Sequence, residues 1–153
     1  MTEFKRGLKT GMSDLKDGEA LAAVDTKVGM GDIGKLFKRG ENSFELCAAD
    51  DPIDGQLESL REFTVNDGYP FGTIKRAWRL GVTVKTANTA AVGSPVLAEA
   101  QAALGDTNGV ANPYLKALVK IDAAGTASKS PWKIYEILGD KTKANCEVII
   151  ERL

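Results

Sequence analysis

Histidine is absent from the 153-residue chain. With it go the ordinary general base near neutral pH, the histidine-assisted nucleophiles and the most frequent ligand to zinc, copper and iron. Cysteine is scarce too. Cys47 and Cys146 stand far apart with no partner motif, so they read as reduced core residues of a protein made in a cytoplasm rather than as a disulfide framework. Long apolar runs are also missing. Such runs as there are, for example residues 20–24 and 148–150, fall far short of the roughly 20 residues that span a bilayer. No apolar stretch of the export type follows the basic residues of positions 1–11. Nor is there an excess of one charge: 20 basic and 21 acidic residues are interspersed along the chain for a net charge of −1. That leaves no basic stripe for nucleic acid. These absences set the expectation of a non-catalytic protein with no cofactor, no metal, no nucleic-acid partner and no membrane association.

What is present suits a folded domain: 43% hydrophobic and 27% charged residues are ordinary globular proportions. Residues 1–34 differ in texture from the rest. Phe4, Leu8, Met12 and Leu15 could share a helical face, but Gly7 and Gly11 interrupt it, and Gly29, Gly31 and Gly34 close the segment. The segment is read as an N-terminal arm whose apolar side chains need another surface, set against the alternative of a leading segment packed on its own domain. Removing 1–34 should then leave the remainder folded.

From residue 35 onward, short strand-like runs alternate with turn signals every 8–13 residues, the rhythm of a small β-barrel or sandwich. Residues 35–39 and 44–49 flank Gly40-Glu-Asn-Ser43 as a hairpin, and residues 50–55 form an Asp/Pro/Gly turn. Residues 57–65 precede the turn signal Asn66-Asp67-Gly68. Residues 73–80 look like one strand, with Ile74, Trp78 and Leu80 on a common face. Positions 96–104 are open. Ser94-Pro95 before an alanine-rich run has the form of a capped short helix, yet Val92-Gly-Ser-Pro-Val96 equally suits a turn into a strand. Residues 115–121 alternate, and 132–138 with 146–153 form a last strand pair. The expected fold is mainly β: an arm over 1–34, a barrel or sandwich over 35–153, and a short helix if the capping signals prevail.

Four constellations bear on chemistry. Asp50, Asp51 and Asp54 fail as a calcium loop, because Pro52 takes the third place and Arg61 the twelfth; a solvated turn is the simpler reading. Gly29-x-Gly31-x-x-Gly34 matches the dinucleotide fingerprint in letters alone, since no strand-to-helix context surrounds it. Trp78, Trp132, Tyr114, Tyr135, Phe63 and Phe71 are expected mainly in the core. Lys75, Arg76 and Arg79, interleaved with Trp78, have the residue types of a nucleic-acid grip, but pairing with Glu58 and Glu62 on a neighbouring strand is the simpler account.

The runs Ile53-Asp-Gly-Gln-Leu57, Phe63-Thr-Val-Asn-Asp-Gly68, Phe71-Gly-Thr-Ile74 and Leu80-Gly-Val-Thr-Val84 resemble the small β-barrel cement, or decoration, proteins of tailed-phage capsids. Val92-Gly-Ser-Pro-Val96, Trp132-Lys-Ile-Tyr-Glu-Ile-Leu138 and Cys146-Glu-Val-Ile-Ile150 extend that resemblance over 35–153. It is a likeness of strand-and-turn texture, and both the alanine-rich 96–104 and the segment 1–34 depart from it. The resemblance implies a structural virion protein made in the host cytoplasm and carried on the capsid surface. It would bind the major capsid protein and itself, as a dimer or trimer, and staple neighbouring capsomers. Phe4, Lys5, Arg6, Leu8, Met12 and Leu15 would be the capsid contacts. The alternatives are another virion β module, of a head fibre or tail, a ligand-binding β domain using Trp78, Tyr69 and Phe71, or an enzyme working with carboxylates or lysines.

Overall fold

A computed structural model describes residues 19–25, 27–61, 71–101 and 117–152. The fold is mainly β, as expected. The ten strands are β1 (Glu19–Ala23), β2 (Leu36–Arg39), β3 (Phe44–Leu46), β4 (Gly55–Arg61), β5 (Phe71–Lys75), β6 (Arg79–Thr86), β7 (Val96–Ala98), β8 (Leu118–Ile121), β9 (Trp132–Ile137) and β10 (Ala144–Arg152). They form two five-stranded sheets, in the orders β1-β5-β4-β2-β3 and β7-β8-β6-β10-β9. Every ladder is antiparallel except β6–β8. That parallel pair requires a crossover, which the chain makes through β7 before β8 inserts between β7 and β6.

Both sheets curl until their edges touch. In the first, Val24 forms a bridge with Phe44, and the Asp25 N–H donates to the Phe44 carbonyl at 2.8 Å. In the second, Pro95 bridges to Lys133, while the Ile134 N–H donates to the Ser94 carbonyl at 2.9 Å. Such contacts cover strand edges that would otherwise template pairing with another chain. Curvature in the first sheet has a local cause. A register shift lies between Leu57 and Ser59, and Gly72 faces it; a Cβ there would stand 2.9 Å from both Leu57 Cδ1 and the Ser59 carbonyl.

The local signals set the first hairpin as the sequence suggested. The Gly40 N–H donates to the Ser43 carbonyl at 2.8 Å, closing the β2–β3 turn. Asp51 and Asp54 hold the next connection by accepting the backbone N–H groups of Ala48 and Arg39, each at 2.7 Å. On β2, successive side chains point to opposite faces. Phe37 therefore joins Val24, Val28, Phe44, Leu57, Leu60 and Ile74 inside the first sheet. Its neighbour Leu36 joins Cys47, Ile53 and the inner residues of the second sheet, among them Leu80, Val84, Trp132, Val148 and Ile150. Strand β2 is thus a shared wall between two cores.

Polar contacts fasten the same seam. Trp132 Nε1 donates to the Ile53 carbonyl at 3.0 Å. Gln101 is fully buried, and its Oε1 accepts the N–H groups of Leu36 (3.1 Å) and Leu118 (3.2 Å). Its Nε2 donates to the carbonyls of Leu118 (2.8 Å) and Glu99 (2.6 Å), and its backbone N–H reaches the Cys47 carbonyl at 3.2 Å. All four capacities of this amide are used.

Three expectations change. Residues 96–98 are strand β7 rather than the start of a helix, because Val96 and Ala98 pair with Ile121 and Val119. Residues 73–80 are not one strand: β5 ends at Lys75 in the first sheet and β6 begins at Arg79 in the second. Ile74 and Leu80 stay buried, but the step through Arg76-Ala77 turns Trp78 outward to 75% exposure. Finally, the described part of the expected arm is built into the fold. β1 pairs along its whole length with β5, and Val24 and Val28 are core residues. Residues 1–18 lie outside the described residues, as do Phe63, the turn at 66–68, Tyr69 and Tyr114.

Candidate functional site

The outer face of the second sheet carries the most distinctive surface chemistry among the described residues. Trp132 and Ile134 of β9 point into the core, so Lys133 and Tyr135 point out. Across the β9–β10 ladder, Ile150 pairs with Ile134 but Ile149 pairs with Glu136, leaving Tyr135 as the extra residue of a bulge. Bulges re-aim side chains. Here the bulge stands Tyr135 up, 42% exposed, where the Arg79 guanidinium stacks over its ring at 3.8 Å.

Arg79 is held from a second side. Its Nη2 and Nε lie 3.3 and 3.4 Å from Glu151 Oε1, across the β6–β10 ladder. This is the cross-strand pairing foreseen for Arg79, with Glu151 as partner instead of Glu58, which lies on β4 of the other sheet; Glu62 falls outside the described residues. A half-exposed pair of this kind contributes at most about 1 kcal/mol to folding. Its effect is to fix the guanidinium plane on the ring. Gly81 lies one residue beyond Leu80 on β6, with no atom within 4 Å of the place its Cβ would take, so the surface is open at that point. Trp78 stands just before β6, and its carbonyl accepts the Arg152 N–H at 2.8 Å.

An aromatic-and-arginine surface of this kind can bind; it makes no bond by itself. No group of three or more His, Cys, Asp or Glu side chains suited to a metal occurs among the described residues. The acidic turn is spent on structure. Asp50 pairs with Lys120 and Asp51 with Lys38, each at 2.7 Å. At Asp51, desolvation pushes the pKa up, but the Lys38 ammonium and the Ala48 N–H outweigh it and hold the carboxyl below its usual value. In the Gly29-x-Gly31-x-x-Gly34 loop, Asp32 accepts the Gly29 N–H at 3.0 Å and pairs with Lys35 at 2.8 Å. A three-residue 3₁₀ turn, Met30–Asp32, leads from there to β2, with no helix N-terminus for a phosphate.

Cys47 is sealed in the core, with Sγ donating to the Pro52 carbonyl at 3.4 Å. Burial, with Asp51 nearby, pushes its thiol up to about 12. We expect native protein to leave Cys47 and Cys146 unmodified by a thiol reagent at pH 8, and unfolded protein to react at both. Rapid native labelling, read by mass spectrometry, would contradict the buried assignment.

The residues foreseen as capsid contacts, Phe4, Lys5, Arg6, Leu8, Met12 and Leu15, all lie outside the described residues. Of the three ligand contacts considered, Tyr69 is also outside them. Phe71 opens β5 and Trp78 lies beyond its far end, so these two are not brought together. Among the aromatics expected in the core, Trp132 is buried, whereas Trp78 and Tyr135 are exposed. Sequence reasoning missed Gln101 and the Tyr135 bulge. The first looked like one polar residue in an alanine run, and a bulge leaves no mark in simple alternation. No protein-family model matches the chain, and neither characterised proteins nor solved structures give a significant match.

Proposed function

We propose that this protein is a structural component of a tailed-phage virion that binds the outer surface of the capsid and stabilises contacts between capsomers. The observation that carries the reading is the bulge-mounted Tyr135 beneath Arg79 on the outer face of the second sheet. Tyrosine and arginine held in fixed rotamers are the residues that most often anchor protein interfaces, because they bury large area with little ordering cost. The strand-and-turn texture of 35–153, with its likeness to cement proteins, supports the same reading. The partner is the major capsid protein, and the protein associates with itself as a dimer or trimer. The protein needs no chemistry. Many modest contacts repeated by the shell's symmetry add up through multivalency to hold it against internal pressure.

The test is direct. Purified protein mixed with bare expanded capsids should co-sediment with them and raise their rupture temperature. Tyr135→Ala and Arg79→Ala should each weaken attachment by roughly 30-fold, the scale of an interface anchor. Absence of co-sedimentation at saturating protein overturns the reading.

A further inference from the structure

The core side of the second sheet ends in a row of three residues on adjacent strands. Ile150 of β10 is buried, so Arg152, two positions on, points to the same side. There it pairs in register with Trp132 of β9, and its guanidinium lies over the Trp132 ring at 6.0 Å. On its other flank the Arg152 N–H donates to the Trp78 carbonyl at 2.8 Å, one step beyond the Arg79–Glu151 pair of the β6–β10 ladder. Trp78 precedes buried Leu80 by two positions and so takes the same side as Arg152. An arginine thus stands between two tryptophans. The indoles differ in what they can do. Trp132 is buried and its Nε1 is committed to the Ile53 carbonyl, so it serves as a floor for the guanidinium. Trp78 is open to solvent over most of its area. Arg152 is half-buried, and among the described residues its guanidinium meets no carboxylate, whereas Lys35, Lys38, Arg79 and Lys120 each hold one. Glu151, beside it in the chain, is tied to Arg79.

We propose that Arg152 and Trp78 form a binding site for an acidic sugar, a pyranose ring that carries a carboxylate. The guanidinium fork suits a carboxylate, to which it donates two parallel hydrogen bonds. The exposed indole suits the C–H face of a pyranose, apolar on one side and hydroxyl-bearing at its rim. Directly opposed residues start about 5 Å apart at Cβ, on the scale of one such ring. The surroundings select a small ligand. A protein partner needs a broad apolar patch around its anchor. The chain neighbours of Trp78 are Lys75, Arg76, Ala77 and Arg79, and exposed Leu138 lies past the far end of β9. Single-stranded nucleic acid needs successive stacking rings along a basic track. Here the second indole of the row is buried. The site faces away from the Arg79–Tyr135 stack, so it stands apart from capsid attachment and survives the failure of that reading.

Titration of the full chain with trigalacturonic acid tests it, followed by tryptophan emission and by NMR saturation transfer from protein to sugar hydrogens. Emission should shift to the blue as Trp78 is covered, with buried Trp132 a constant background. The Kd should be on the order of 1 mM, the strength of one small polar unit. The methyl ester of the same trisaccharide lacks the charge and should bind about tenfold more weakly. Arg152→Lys should also cost about tenfold, because an ammonium cannot make the paired bonds. Trp78→Leu should abolish the saturation transfer. Both positions lie at the end of the sheet, and an unchanged urea midpoint shows that neither loss comes from unfolding. No emission shift and no saturation transfer well above the expected Kd overturns the proposal. Equal binding of the ester, or binding that neither substitution weakens, overturns it as well. Oligo(dT) or polyglutamate bound more tightly than the sugar, with the same dependence on Arg152 and Trp78, assigns the site to nucleic acid or to an acidic peptide and equally overturns it.

Discussion

Gln101→Leu is expected to lower the unfolding free energy by about 4 kcal/mol, a large share of the roughly 5–15 kcal/mol that holds an ordinary domain together. Leucine has nearly the volume of glutamine, so the change leaves little cavity. What it removes is the side chain that meets the Leu36 and Leu118 N–H groups, at 3.1 and 3.2 Å from Oε1. Both donors are buried, and each stranded donor costs roughly 1–3 kcal/mol because water cannot replace the lost partner. The Glu99 carbonyl loses the Nε2 donor as well, whereas the Leu118 carbonyl keeps the Glu99 N–H at 3.1 Å. Gln101→Glu makes a sharper variant. One carboxylate oxygen can still accept from Leu36 and Leu118, but the other then faces carbonyls and must carry a proton. The variant's carboxyl pKa should therefore rise in the folded state, so its stability should be greatest at low pH and fall as pH climbs past the ordinary carboxylate range. Urea unfolding at several pH values reads both effects. A Gln101→Leu midpoint within experimental error of the wild type would show that the amide does not bind the seam.

Much of the fold was legible because its turns are local. Gly40, Asp51, Pro52, Asp54 and Gly55 announce the first connections by their own conformational preferences, and the structure uses Asp51 and Asp54 as backbone acceptors. Non-local choices were not legible. Ser94-Pro95 carries helix-capping signals, yet the Ser94 carbonyl receives the Ile134 N–H from β9, and Ser94 Oγ accepts the Ala91 N–H behind it. A partner 40 residues away decides the conformation, and propensity yields to it. Trp78 misled for a related reason. Its even spacing with Ile74 and Leu80 is real, but the chain changes sheets between them, and periodicity carries no notice of that. For the candidate surface, the residues Arg79 and Tyr135 were visible as types. Their stacking depends on one bulged residue opposite Ile149 and Ile150.

Deleting residues 1–34 should unfold the first sheet, whereas deleting residues 1–18 should leave the described fold intact. This reverses what the glycine-rich texture of the segment suggests. The longer deletion strips β1 from β5, five paired positions in all, and leaves β5 as an exposed edge. It also removes Val24, with no exposed surface, and Val28, at 7%, from the core formed with Phe37, Leu57 and Ile74. Burial of one valine contributes about 1.5–3 kcal/mol, so the two side chains alone account for several kcal/mol before any cavity is counted. The closing contact between the Asp25 N–H and the Phe44 carbonyl goes with them, and the curled sheet opens. Because β2 is a wall of both cores, through Phe37 on one side and Leu36 on the other, damage to the first sheet should spread to the second. We therefore expect the 1–34 deletion to lose its cooperative urea transition. The 1–18 deletion should keep a midpoint close to that of the full chain, since every ladder described here begins at Glu19 or later. A cooperative, near-wild-type transition after deletion of 1–34 would mean that β1 adds nothing to the barrel. The whole segment would then be an appendage, and attachment experiments could remove it all; otherwise the cut belongs before Glu19.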